Sequence, residues 1–460
     1  MKNYLLVDIG STFTKLTAVD LEKEEIIATA KAITTVEKDV LIGYERALGK
    51  LRKKIGEEII FDKVKACSSA AGGLKMVAIG LVEALTTEAA RRVCLGAGAK
   101  VELVLSHNLN QHEIKQIEDK NIDIILLAGG ANGGNKKTVI HNAQQLAQSK
   151  ITAPIVFAGN KDATDEIEVI LSEAGKEYYV CENVMPRLNV LNIQSAKQQI
   201  KDIFVKNIVE AKGIKKIEKI VKDGIIPTPN AVLTAAELLS TGTETETGLG
   251  DIMLADVGGA TTDVYSMGEG LPTQMNAILS GLEEPYAKRT VEGDLGMRYS
   301  SLGILDAFTA AEISHWKSQD VDIVHEAHKR HDDIEFISET DMDYVADDIF
   351  AGKCVEVAVS RHVGTLNGVY TPMGVMYYQT GKDLTNTNYF IGTGGVVISS
   401  KDAKAILKNS LKSPTRPMEL RPQNPIFLLD KTYVLSAMGL LSTDYPDIAL
   451  RMMKKYLIEL

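Results

Sequence analysis

Apolar and polar positions along the chain fall into two periods. Tyr4-Leu-Leu-Val7 is a short apolar run that meets Asp8 and then Gly10, which predicts a buried strand entering a tight turn. The pattern recurs at Ile124–Ala128 before Gly129 and at Ile252–Ala255 before Gly258. Strands are expected at 4–8, 14–20, 25–34, 64–69 and 75–81, making a first lobe of residues 1–105. From 106 to 225 the period switches back and forth. It gives strand Ile122–Ala128, helix Thr138–Ser149, strand Pro154–Ala158, helix Asp162–Ala174 and strand Tyr178–Cys181. Such alternation predicts an inserted small parallel α/β domain, ending in a lysine-rich helix from Gln194 to about Val221. A second lobe, 226–435, and a terminal helical segment, 436–460, complete the division.

Composition narrows the function classes. A chain of 460 residues needs more than one core, and its net charge is 51 − 61 = −10 with no long basic block. That argues against nucleic acid as a partner. No apolar run approaches the roughly 18 residues of a membrane span, and Asp8 comes too early for a signal peptide's apolar core. The expectation is a cytoplasmic protein with no membrane partner. Cys67, Cys94, Cys181 and Cys354 lie far apart without a CxxC pair, so neither a disulfide framework nor a local zinc or iron–sulfur cradle is expected. His325, His328 and His331, followed by Asp332 and Asp333, share a helix face. In so polar a segment they predict an exposed helix or loop, with zinc ligation the alternative.

Glycines bunch at Gly10, Gly72–Gly73, Gly129–Gly134, Gly258–Gly259 and Gly392–Gly395. A Walker loop is absent, because the nearest string, Gly43 to Lys50, has one residue too many and ends in Leu51. A dinucleotide fingerprint is absent too, since Gly96-Ala-Gly98 lacks the third glycine. Self-comparison is more informative. Val7-Asp8-Ile9-Gly10-Ser11-Thr12-Phe13-Thr14-Lys15 aligns without gaps on Ala255-Asp256-Val257-Gly258-Gly259-Ala260-Thr261-Thr262-Asp263. Each is a hairpin whose turn offers backbone N–H groups and hydroxyls beside one strand-end acid. Two such turns face to face would hold a polyphosphate, and the two acids would hold a hydrated Mg²⁺. Gly129–Gly134 is either a ligand loop or the turn into the next helix.

With these hairpins placed, the sequence resembles the acetate and sugar kinase, Hsp70 and actin superfamily. Besides the two phosphate loops, Pro229–Leu239 resembles its first connecting helix, Ile391–Val397 its adenosine loop, and Ser436–Leu441 its second connecting helix. The implied fold class is α/β: two duplicated actin-like (ribonuclease H-like) lobes around a nucleotide cleft, plus the inserted domain. The resemblance implies ATP and Mg²⁺ as cofactors, with Asp8 and Asp256 holding the metal. Gly10, Ser11, Thr12, Gly258, Gly259, Thr261 and Thr262 would contact phosphate, and Asp263 would position a water. Lys15 would neutralise phosphate charge or point to solvent. Gly392, Thr393, Gly394 and Gly395 would lie against adenosine. Glu292 and Asp294, in Thr290–Arg298, resemble an acid turn of Hsp70-like proteins and would touch metal waters or ribose, or cap a helix.

The strings ADVGGATTDVYS, TVEGDLGMRYS and ILLAGGANGGN further resemble the MutL family of mutase accessory proteins. This implies an ATP-dependent factor that reactivates adenosylcobalamin-dependent glutamate (methylaspartate) mutase by promoting release of damaged cobalamin. The chain lacks the Asp-x-His-x-x-Gly string by which such mutases ligate cobalt, so it is not expected to be the mutase itself. A small-molecule kinase of the same fold and an actin-like filament protein are the alternatives.

Overall fold

The computed structural model describes residues 2–10, 12–34, 40–69, 74–210, 221, 224–372 and 374–460. Ser11, Gly72, Gly73 and the last part of the lysine-rich stretch lie outside these residues. The chain divides into two compact units, one of residues 1–71, 216–280 and 284–460, the other of residues 72–215 and 281–283.

The first unit contains three sheets: two that share one strand order, and a three-stranded one of β13 (Ala277–Leu279), β16 (Gly374–Thr380) and β15 (Thr365–Thr371). In lobe I the strands are β1 (Asn3–Ile9), β2 (Phe13–Asp20), β3 (Glu25–Ile33), β4 (Lys63–Ser68) and β10 (Ile225–Pro227), arranged β3-β2-β1-β4-β10. In lobe II the matching strands are β11 (Ile252–Val257), β12 (Thr262–Met267), β14 (Ala287–Glu292), β17 (Tyr389–Thr393) and β18 (Ile426–Leu429), arranged β14-β12-β11-β17-β18, with a short sixth strand, β19 (Ile458–Glu459), beyond β18. Pairing directions match throughout. The first three strands are antiparallel neighbours, and the fourth and fifth run parallel to the first. This is a duplicated actin-like (ribonuclease H-like) α/β fold. All seven residues of β1 are buried, as a central strand covered on both faces requires.

A helix follows the fifth strand of each lobe. The first connecting helix, Thr228–Thr241, opens with Pro229, where a missing N–H costs nothing. The second, Val434–Leu441, is buried along its whole length and packs on the first as well as on β1 and β4 of lobe I. A β-carbon on Gly439 would overlap the Ala231 carbonyl oxygen, so the crossing is as close as backbone allows. Residues of both helices join Tyr4, Leu6, Leu254, Tyr265, Ile391 and Leu428 in one core shared by the two sheets. Helix α1 (Val40–Ile55) covers β2 and β3 on the outside of lobe I.

The second unit is a five-stranded parallel sheet: β5 (Lys75–Gly80), β6 (Lys100–Ser106), β7 (Ile124–Leu127), β8 (Ile155–Phe157) and β9 (Tyr178–Val180), in the order β6-β5-β7-β8-β9. Separate apolar cores fill its two faces. The α/β insert is therefore present, but its boundary moves from residue 106 to 72. The expected lobe I strand at 75–81 is β5, and it pairs in parallel with β6 and β7. An apolar run states that a strand is buried; only its neighbours decide which sheet takes it. Gly129–Gly134 forms the link from β7 to helix Lys137–Gln148.

His325, His328 and His331 are exposed on helix Ile323–Asp332. Among the described residues there is no cluster of three metal-ligating side chains and no helix long and apolar enough to cross a membrane. The four cysteines are free thiols.

Candidate functional site

The two hairpins share one strand register. Asp8 pairs with Lys15 across β1 and β2, and Asp256 pairs with Asp263 across β11 and β12. Each turn is closed by one bond: Gly10 N–H donates to Phe13 O at 3.0 Å, and Gly258 N–H to Thr261 O at 2.9 Å. A β-carbon on Gly10 would approach Phe13 O to 2.8 Å, and one on Gly258 would approach Thr261 O to 2.9 Å. Only glycine fits both turns. The turns also meet, since a β-carbon on Gly259 would lie 3.4 Å from Thr12 Oγ1. Residues after β14 hold the second turn in place: Met297 N–H donates to Gly258 O, and Arg298 and Tyr299 N–H to Gly259 O.

Asp8 is buried and receives bonds from both connecting helices. Thr228 Oγ1 donates to its Oδ1 at 2.9 Å and Ser436 Oγ to its Oδ2 at 3.3 Å. Its β4 register partner, Cys67, donates through Sγ at 3.6 Å, and burial pushes that thiol well up. Lys15 Nζ lies 3.8 Å from Asp8 and 3.6 Å from the centre of the Tyr433 ring. Lys15 thus points into the site, not out to solvent.

Asp256 keeps some accessible surface, yet its carboxyl is set deep and pushed up to about 7. Burial is the main cause; the charges of Asp263, Asp8 and Asp430 add to it and Lys15 opposes them. Asp430, at the end of β18, is pushed up to about 6 by burial, although it accepts from Val434 N–H, Leu435 N–H and Thr393 Oγ1. The charges of Asp263, Asp8 and Asp430 around Asp256 leave a surplus of negative charge that a divalent cation would relieve. Hard oxygen donors suit Mg²⁺, which keeps several of its own waters, so the chemistry of Asp8 and Asp256 fits a hydrated metal. Backbone N–H groups and hydroxyls of the facing turns fit its phosphate ligands.

Other expected site residues have different surroundings. Asp263 is held by Arg289, with Nε at 2.8 Å and Nη2 at 2.6 Å, and accepts from Thr261 Oγ1 at 3.1 Å. Thr262 is fully buried and donates to Leu295 O, so strand alternation turns its hydroxyl away from the turn. Glu292 and Asp294 are both bound by Arg361, at 2.7 and 2.8 Å, and burial holds Glu292 above the usual carboxylate range against that pull. Gly392 backs onto Leu407 and Val397 in the core. Gly394, at φ +101°, lets the chain cross the Val257 carbonyl, and Gly395 faces the Tyr433 hydroxyl, 3.3 Å from where its β-carbon would be. Of this loop, Thr393 and Gly395 are the residues that face Asp430 and Tyr433.

Sequence reasoning missed Asp430, Tyr433, Thr228, Ser436 and Arg289. For Asp430 a signal existed: Phe427-Leu-Leu-Asp430 is a third apolar strand ending in an acid, like Leu5-Leu-Val-Asp8 and Met253-Leu-Ala-Asp256.

A family model described as MutL protein matches residues 4–457. Protein MutL of Clostridium tetanomorphum is 50% identical over 461 residues, spanning 100% of both chains. Solved structures are much more distant. Nucleotide-free acetone carboxylase is 12% identical, with 96% of this chain and 70% of that chain covered and a TM-score of 0.40. The activator of 2-hydroxyisocaproyl-CoA dehydratase from Clostridium difficile, with bound ADPNP, is 10% identical over 98% and 97%, at a TM-score of 0.33. Likenesses this weak carry no argument, and the fold rests on the strand order given above.

Proposed function

The chain belongs to the MutL family, and from that premise we propose that it is an ATP-dependent accessory factor that reactivates adenosylcobalamin-dependent glutamate mutase. The observation that carries the nucleotide part is the pair of matched hairpins, which bring Asp8 and Asp256 together where Gly259 meets Thr12. Bound Mg²⁺ supplies charge neutralisation at the phosphates. Asp8 and Asp256 orient its waters. Gly10, Thr12, Gly258, Gly259 and Thr261 offer N–H groups and hydroxyls to phosphate oxygens, and Ser11 belongs to the same turn by sequence. Lys15 leaves the Tyr433 ring to pair with phosphate. Asp263, fixed by Arg289, positions the attacking water, while Thr393, Gly395 and Tyr433 form the adenosine wall. Glu292 and Asp294, tied to Arg361, brace the second turn.

The two connecting helices carry this chemistry to the lobes. Thr228 and Ser436 bond Asp8 from either helix, so a change at the phosphates bears on the crossing itself. ATP and ADP then favour different lobe closures by differential binding, and a bound mutase reads that difference as loosening around its damaged cobalamin. The kinase alternative needs an acceptor pocket beside the terminal phosphate. The groove of about 490 Å³ that includes Thr385, Asn388 and Gln423 opens at Tyr389 and Ile426, the first residues of β17 and β18. Thr393 and Asp430 of the site are at the opposite ends of those strands, so this groove is not that acceptor pocket.

The test is an ATPase and reactivation assay with purified glutamate mutase carrying inactivated cobalamin. Mutase-stimulated hydrolysis with recovered mutase activity is the expected result. Absence of both overturns the proposal. Phosphorylation of an added sugar or carboxylate would replace it with the kinase reading, and nucleotide-dependent sedimentation with the filament reading.

A further inference from the structure

The outer face of lobe I carries a groove of about 350 Å³ between β3 and α1, lined by Ala32, Ile33, Arg46, Gly49, Lys50 and Lys53. Positions 46, 49, 50 and 53 are spaced i, i+3, i+4, i+7, so they form one stripe of the helix, and all four are exposed. The floor is apolar: Ile33 is 48% exposed although it belongs to a strand of the sheet, and space above Gly49 is open. The rim is cationic. Helix α1 holds five basic residues against Glu45 alone, 5 − 1 = +4, within a chain of net charge −10. Lys50 and Lys54 cap β3 carbonyls at Lys31 and Thr29, which closes that sheet edge to a further strand. Arg46 and Lys53 flank the opening.

We infer that this groove is the docking site for an acidic, apolar-tipped segment of the protein partner; the inference rests on the accessory role proposed above. Charge complementarity selects an acidic partner, since opposite charges steer encounter and suppress wrong partners. A concave site of this volume takes one or two apolar side chains flanked by carboxylates. A flat anionic membrane neither fills it nor attracts a chain of this net charge.

The groove is joined to the nucleotide turn by one residue. Ile33 is the register partner of Phe13, and the next residue, Thr34, donates its N–H to Thr12 O at 2.8 Å and shares a 2.9 Å hydroxyl bond with Thr14. An occupant pressing on Ile33 therefore acts on the strand end that holds Thr12, the residue facing Gly259.

Binding of the full-length chain to purified glutamate mutase, measured by titration calorimetry at low and high salt, tests the assignment. Arg46→Glu/Lys53→Glu is expected to weaken binding about 10-fold or more and to abolish its salt sensitivity. Gly49→Leu fills the groove without changing charge and favours the helix, so it is expected to weaken binding with no loss of fold. Both variants should keep the basal ATPase rate. Unchanged mutase affinity in both overturns the docking site and leaves the accessory role standing; a wild-type chain that does not bind mutase overturns both. The third arm uses vesicles of phosphatidylcholine with about one-third phosphatidylserine. Vesicle binding lost in both variants while mutase binding persists would assign the groove to membranes and overturn the inference.

Discussion

The two lobes share strand order, hairpin turn and strand-end acid, yet differ in the charge set opposite that acid. Lobe I places Lys15 across from Asp8; lobe II places Asp263 across from Asp256. Their parallel neighbours differ as well, a buried thiol at Cys67 in one and the Thr393 hydroxyl in the other. One scaffold occurs twice, with a different charge set in each copy. One copy brings a cation, which the proposed function assigns to phosphate, and the other brings a second acid anchored by Arg289, which it assigns to water. A single lobe would have half of either function.

The most severe test of that equivalence is removal of each acid in turn. Asp8→Ala and Asp256→Ala should each lower Mg-ATP hydrolysis by about 10²–10³-fold, the usual cost of one pre-organised electrostatic group. Asp256→Ala should melt no lower than the parent, because its carboxyl is penalised by burial in the folded state. Asp8→Ala should melt lower, because Thr228 and Ser436 lose a shared acceptor. Full turnover in either variant would break the two-acid account.

Next in size is the crossing of the connecting helices. Gly439→Val should destabilise the protein by about 1–3 kcal/mol, the range for overpacking, because the Ala231 backbone lies against that glycine and cannot give way. Gly49→Ala, on the outer helix of lobe I, is the control. Nothing lies within 4 Å of its β-carbon, so it should gain about 0.5–1 kcal/mol from helix propensity. Urea melts of the two variants that moved in the same direction would remove the distinction between the shared core and the lobe's outer layer.

What could be read in advance follows the same division. The hairpins were legible because the acid, glycine and hydroxyl repeat at one offset, and a turn is a local structure. The connecting helices were legible through the resemblance of Pro229–Leu239 and Ser436–Leu441 to those of the superfamily. The edge of the insert was not, since β5 is an apolar run that either sheet would accept. Gly392 illustrates a second limit. In sequence it belongs to a glycine-rich adenosine loop, but its side faces Leu407 because strand alternation points it inward. Tyr433 and Ser436 reach the site only through the return of the second connecting helix to lobe I, more than 400 residues after Asp8, and no local pattern announces such a meeting.

The smallest effect is the most direct reading of the difference between lobes. Asp256 is pushed up to about 7, with Asp263 raising it and Lys15 lowering it. A folded-state pKa above the unfolded value means that this group stabilises the fold at pH below the ordinary Asp range. That contribution is lost as pH rises through about 7. Removing the acid and removing the lysine should then move the titration in opposite directions. In metal-free protein followed by carbon-13 NMR of the Asp256 carboxyl, Asp263→Asn should lower the midpoint and Lys15→Met should raise it. Because metal binding takes the ionised form, Mg-nucleotide affinity of the parent should increase from pH 6 to 8, with proton release at pH 6 that vanishes by pH 8. Asp263→Asn should shift that window downward. If both substitutions move the Asp256 midpoint the same way, burial alone sets it, and the opposed charges of the two hairpins have no part in tuning the site.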